Sequence, residues 1–164
     1  MTESEIRAKL VEFGTKILYK NSLPEGLPLI SSYAKIITGA DRCSMFIYDP
    51  KKEELWTTLA DGVEKLIIPS NKGIVGETLD SKKGIIENDV DSNPHFLSDV
   101  DMHTGYDTRN VITAPIFNIK KEVVGVIQLL NKHNGFTEDD LKYLIFFAHS
   151  LSEFIDLIKL YENI

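Results

Sequence analysis

The sequence predicts an α+β fold, a central antiparallel sheet carrying helices from both ends of the chain on one face and a loop-and-short-helix lid on the other. Helical periodicity is confined to about residues 3–39 and 137–164, while residues 42–69 and 111–130 show the alternation and β-branched runs of strands. Consecutive strands flanked by helices satisfy the layer rule as a sheet with helices on one side, not as alternating parallel units. The chain has 164 residues, enough for one domain with its own core and too few for two ordinary ones.

The elements follow in order. Thr2 and Glu5 have the spacing of a capping box, and Ile6, Leu10, Phe13 and Ile17 share one helical face, so a first helix is expected over about residues 3–20. The two prolines of NSLPEGLPLI predict a connector, after which Leu29, Ile30, Tyr33, Ile36 and Ile37 suggest a second helix ending near Gly39. RCSMFIYD, ELWTTLA and EKLIIP read as three short antiparallel strands. NKGIVGETLDSKKG reads as a short helix entered through Gly73, and GIIEN as a small strand. NVITAPIF and EVVGVIQLLNK, joined by NIKK, read as a hairpin in mid-sheet. Finally, Thr137 is placed to cap a helix in which Leu141, Leu144, Ala148, Leu151, Ile155 and Ile158 recur at three- and four-residue spacing, a heptad seam.

Composition excludes several functions. Eighteen basic against 25 acidic residues give a net charge of −7, which opposes the phosphate-backbone mode of nucleic-acid binding. No apolar run is long enough to cross a bilayer and the first residues lack a signal-peptide pattern, so a cytoplasmic chain with no membrane partner is expected. The single cysteine, Cys43, allows no internal disulfide, and within a strand it is expected to be an inert buried thiol.

Residues 88–110 form a long polar segment ending in VDMHTGYDTRN, and loops of that size are more often functional than idle. Asp89, Asp91 and Asn93 have the first spacings of a calcium loop, but Pro94 and Val100 occupy its glycine and glutamate positions. His95 and His103 lack a third zinc ligand at recognisable spacing, and no nucleophile turn is present, so no metal and no catalytic residues are expected. Two polar residues interrupt apolar strands. Gln128 shares a face with Val124, Val126 and Leu130, and Ser44 lies within RCSMF. Each needs a hydrogen-bond partner if buried, supplied either by the protein or by a ligand. On composition alone the hydroxyls and carboxylates of the long segment fit a solvated, acidic loop first, and a small ligand bearing a phosphate and a hydrogen-bonding ring second.

The succession ADRCSMFIYD, LWTTLADG, IIPSNKGIVGETL, DVDSNPHF, VDMHTGYDTRNVITAPI and VVGVIQLLNK with a following Phe resembles the GAF domains of cyclic-nucleotide phosphodiesterases and bacterial cyclases over about residues 25–158. The resemblance implies a six-stranded antiparallel sheet with N- and C-terminal helices on one face and a ligand pocket on the other. It also implies a regulatory, non-catalytic role without cofactor: binding of a cyclic purine nucleotide, cAMP favoured over cGMP, reported to an effector such as a diguanylate cyclase. The base would rest near Ser44, Ala60, Asp61 and Val75, and the ribose and cyclic phosphate near Leu97, Asp101, Thr104, Thr108 and Gln128. Ala60 and Leu97 stand where cGMP-binding relatives can carry aromatics, which weakens stacking. Gly105 would permit the turn, and Arg109 would be a structural clamp. The family signature appears as Asn131, Lys132, Phe136 and Asp140, with Leu141 in place of its last glutamate. Lys132 and Asp140 would form a structural salt bridge, while Asp140 is also spaced to complete a capping box with Thr137. The GAF-type methionine sulfoxide reductases and bilin carriers need cysteines that this chain lacks.

The organisation expected is an N-terminal dimerisation helix over 1–22, a sensory domain over 23–140 and a signalling helix over 141–164. A homodimer would form through the terminal helices. The competing expectation is a ligand-free dimerisation scaffold.

Overall fold

The computed structural model describes residues 1–60, 66–96 and 105–162, with side chains for all of these except 58–60 and 157–162. Helix α1 (Glu3–Ile17) starts with the expected box: the Thr2 hydroxyl accepts from the Glu5 N–H at 3.1 Å, and the Glu5 carboxylate accepts from the Thr2 N–H at 2.6 Å. These bonds satisfy two of the N–H groups that a helix start leaves over.

Helix α2 (Leu23–Thr38) departs from expectation, because the proline-containing stretch is its first part and not a connector. Pro24 sits in the first turn, where its missing N–H is not needed. Pro28 lies inside the helix and deletes a hydrogen bond there. Burial offsets this loss, since Leu23, Leu27 and Ile30 all belong to the main core. The helix ends at Gly39, whose φ of 84° is a left-handed cap that glycine adopts without strain.

Six strands follow: β1 (Arg42–Asp49), β2 (Glu54–Ala60), β3 (Ile67–Pro69), β4 (Ile85–Glu87), β5 (Val111–Phe117) and β6 (Val123–Leu130). They form one antiparallel sheet in the order β3-β2-β1-β6-β5-β4. The long strands β1 and β6 lie at its centre, and the three-residue strands β3 and β4 form its edges. Gly125 is required where these central strands meet, since a Cβ there would stand 2.5 Å from the Phe46 carbonyl oxygen.

Alternation along β1 divides the molecule into two layers. Cys43, Met45 and Ile47 join α1, α2 and the last helix, α4 (Glu138–Glu162), in the main core. Phe46 faces the other way, into a smaller cluster with Leu55, Ile68, Val75 and Val126. Val75 belongs to α3 (Gly73–Ser81), the short helix that covers this second face. A 3-10 turn at Val90–Ser92 lies beside it, with Val90, Ile74 and Val111 in a third cluster.

The heptad seam of α4 is the face that packs inward. Leu144, Ala148, Leu151 and Ile155 are all buried in the main core, and Phe154 lies against Gly26 of α2. Ile158 is among the residues whose side chains are not described. Among the described residues, no helix is long and apolar enough to cross a membrane.

Candidate functional site

A row of polar side chains crosses the centre of the sheet on the face covered by α3. Ser44 of β1 is directly opposite Gln128 of β6, and Gln128 is directly opposite Thr113 of β5. Ala60 of β2 pairs with Ser44 at the other end of the row. Beyond this row, the same face is built from Phe46 and Val126 on one side and from Val111 and Leu130 on the other.

The two ends of the row differ in hydrogen bonding. Thr78 of α3 and Thr113 are both fully buried with hydroxyls 2.5 Å apart, and Thr78 also donates to the Ile74 carbonyl at 2.9 Å. That end is satisfied within the protein. Ser44 is buried and Gln128 half-buried, yet neither side chain has a hydrogen bond to a described residue. Between them they offer a hydroxyl, a carbonyl acceptor and an amide donor on an otherwise apolar floor.

Among the other expected site residues, Val75 lies in the apolar cluster next to the row and Thr108 is buried at the end of the long segment. Asp61, Leu97, Asp101 and Thr104 lie outside the described residues, as does the side chain of Ala60. The structure also supplies a group that sequence reasoning missed. Glu77 of α3 has its Oε2 atom fully buried with no hydrogen-bond partner among the described residues, an acceptor that a bound donor would satisfy.

Residues 105–110 enter β5 through a dense polar corner. Gly105 has the φ of 74° expected of a residue that permits the turn. Asn131, itself at φ 58°, accepts at Oδ1 from the N–H groups of Arg109 (2.7 Å) and Asn110 (3.2 Å). Its amide nitrogen donates to the Asp107 carbonyl at 2.8 Å and to the Tyr106 hydroxyl at 3.1 Å. Tyr106 donates in turn to Asp41 at 2.7 Å, and the Arg42 guanidinium lies 3.7 Å from its ring centroid. Burial first, and then the hydrogen bond to the Asp41 carboxylate, hold the Tyr106 phenol well above its ordinary range.

The pattern of the GAF domain matches residues 23–155, a span that includes every strand and the polar row between them. The chain belongs to the GAF domain family. Its sequence is 29% identical over 150 residues to a probable 3′,5′-cyclic phosphodiesterase, pde-5, of Caenorhabditis elegans, covering 82% of this chain and 20% of that protein. It is 36% identical over 128 residues to the rod cGMP-specific 3′,5′-cyclic phosphodiesterase subunit alpha of Bos taurus, covering 65% of this chain and 15% of the relative. The chain thus spans a fifth or less of these relatives' lengths. Its fold resembles that of the GAF domain from a phosphoenolpyruvate-protein phosphotransferase of Coxiella burnetii, with a TM-score of 0.86, 18% identity and 97% of each chain covered.

In this GAF domain the two readings of Asp140 hold together. Its carboxylate accepts from the Lys132 ammonium at 2.6 Å and from the Thr137 N–H at 2.8 Å, while its own N–H donates to the Thr137 hydroxyl at 3.2 Å. Lys132–Asp140 is therefore an ion pair built into a capping box, away from the polar row. Arg109 corrects an expectation. Its side chain is exposed and pairs only loosely with exposed Asp107 at 3.4 Å, and the clamp at this position is made by its backbone N–H. Cys43 is buried on the face turned toward the helices, opposite to the row.

Asparagine side chains, not charged ones, do the clamping at this corner. Asn110 donates to the Lys132 carbonyl at 3.1 Å and accepts from its N–H at 2.8 Å. Asn88, just after β4, treats Phe136 in the same way, at 3.1 and 2.8 Å. The available signal was that IIEN, TRN and LLN each place an asparagine at a strand end, where an amide can read a neighbouring backbone on both sides.

Proposed function

We propose that this GAF domain is a sensory domain that binds a cyclic purine nucleotide over the polar row, cAMP ahead of cGMP. The observation that carries this reading is the pair of polar groups, the Ser44 hydroxyl and the Gln128 amide, that lie opposite each other at the centre of the covered sheet face without a hydrogen bond to a described residue. Polar side chains in such a place cost stability unless something supplies their hydrogen bonds. A purine ring offers donors, acceptors and an apolar face together, which matches a polar row flanked by Phe46, Val75 and Val126.

The base is assigned to Ser44, Ala60, Asp61 and Val75, and the sugar and phosphate to Leu97, Asp101, Thr104, Thr108 and Gln128. cAMP is placed first because Ala60 and Leu97 stand where cGMP-binding relatives can carry aromatics, which reduces stacking on the base. Similarity to two cyclic-nucleotide phosphodiesterases supports the ligand class. Occupancy is passed to an effector domain outside this chain, such as a diguanylate cyclase, through the terminal helices of a homodimer. The seam of α4 is consumed in the core, so the dimer contact falls to the exposed apolar side chains Val11, Ile145 and Phe146.

Calorimetric titration with cAMP, cGMP and a panel of cyclic dinucleotides tests the reading. Saturable heat with a cyclic mononucleotide, accompanied by a rise in melting temperature, is expected. Absence of heat and of thermal shift with every member would leave the scaffold reading in its place.

A further inference from the structure

We infer that Glu77 reads the ribose of the bound nucleotide, its buried carboxylate oxygen accepting a hydrogen bond from the 2′-hydroxyl; this rests on the cyclic-nucleotide reading above and adds a contact to it. The Oε2 atom of Glu77 is closed off from water and has no hydrogen-bond partner among the described residues. A carboxylate oxygen in that state is costly, because its hydration is lost and nothing replaces it. The architecture of α3 does not need it. The helix cap at Lys72 uses no side-chain bond, and the Thr78 hydroxyl is satisfied by the Ile74 carbonyl and by Thr113. Ser44 and Gln128 on the sheet, and Glu77 on the helix that covers it, are thus three polar groups without a bond to a described residue.

The position of Glu77 on α3 decides which part of the ligand it meets. Val75 packs with Phe46 and Leu55 of β1 and β2, the side given to the base. Ile74 packs with Val90 and Val111, and Thr78 lies on Thr113, so the other flank of the helix faces β5. Glu77 comes three residues after Ile74 and next to Thr78, which puts it on that second flank, with the sugar and phosphate. Charge then selects the group. A carboxylate repels the cyclic phosphate and can only accept hydrogen bonds. In a 3′,5′-cyclic nucleotide both other sugar hydroxyls are esterified and the phosphate carries no proton, so the 2′-hydroxyl is the single donor outside the base. Glu77 therefore holds the sugar with this hydroxyl turned toward α3 and the phosphate turned away. A hydrogen bond to a charged acceptor is stronger than one between neutral groups, and a site built for a hydroxyl rejects the analogue that lacks it, because its own polar group is then left unpaired. The ligand class narrows to ribonucleotides.

The test is calorimetric titration with cAMP, cGMP and the 2′-deoxy analogue of each, on the wild type, Glu77→Met and Glu77→Gln. The wild type should bind its preferred nucleotide about tenfold or more tightly than the matching 2′-deoxy analogue. Glu77→Met, similar in length and without an acceptor oxygen, should bring the two within about twofold. Glu77→Gln keeps a carbonyl oxygen and should restore part of the difference. The ligand-free melting temperature of Glu77→Met should hold or rise, because an unpaired acceptor is removed. Equal affinity for the two sugars in the wild type, or a preference that survives intact in Glu77→Met, would overturn the role of Glu77 and leave the cyclic-nucleotide reading standing. A fall in the ligand-free melting temperature of Glu77→Met would overturn it as well, since the protein itself would then be using the carboxylate. Binding of none of the four nucleotides would remove the reading and the inference together.

Discussion

Gln128 is where the chemistry of the proposed site is most exposed to test. Its amide lies half-buried between Ser44 and Thr113 without a hydrogen bond to a described residue. Gln128→Leu, similar in volume, removes from an apolar face an amide that no described residue bonds, so the ligand-free melting temperature should hold or rise. The same change should weaken nucleotide binding by about 1–2 kcal/mol, roughly tenfold, through the lost hydrogen bond. Melting curves and titration of one preparation give both numbers. A drop in ligand-free stability would instead identify Gln128 as a structural amide. Thr113, one residue along the row, should behave in the opposite way, because its hydroxyl is already bonded to Thr78 in a fully buried pair.

Among the elements, the corner between β6 and α4 depends on amides more than on charges. Asn88 satisfies both backbone groups of Phe136, and Asn88→Ala would leave the two without that partner. The expected cost is about 2 kcal/mol, or a melting temperature lower by roughly 4–8 °C. Asn88→Asp keeps the acceptor for the Phe136 N–H and should lose about half as much. The ladder of strands, the Thr2 capping box and the Gly73 helix start were legible in the sequence, because each rests on local periodicity or on contacts three residues apart. The start of α2 was not. Pro24 and Pro28 read as breakers until Leu23, Leu27 and Ile30 are seen in the core, and that burial is a tertiary fact. The asparagine clamps were hidden for the same reason, since Asn88 and Phe136 are 48 residues apart in sequence. Within the site, Ser44 and Gln128 were legible as polar breaks in apolar strands, whereas their direct opposition depends on a register that only the folded sheet defines.

For the whole molecule, the question is what covers the outer surface of the helices. Val11 on α1 and Ile145 on α4 are 70% and 50% exposed, and Phe146 packs edge-on against Phe13 with 42% of its surface open, apolar side chains that a second copy could cover. Sedimentation equilibrium should show concentration-dependent dimerisation. Ile145→Glu should shift the chain to monomer with its melting transition otherwise intact, because the residue points away from the core. A wild-type chain that stays monomeric at the highest concentrations reached would remove the homodimer from the proposal. The sheet, by contrast, offers little to a neighbour. Both of its outermost strands are three residues long, and one of them ends in Pro69, which has no N–H to donate. Copies set side by side therefore lack the backbone template on which strands of separate chains zip together, so crowding should leave this fold free of fibrils.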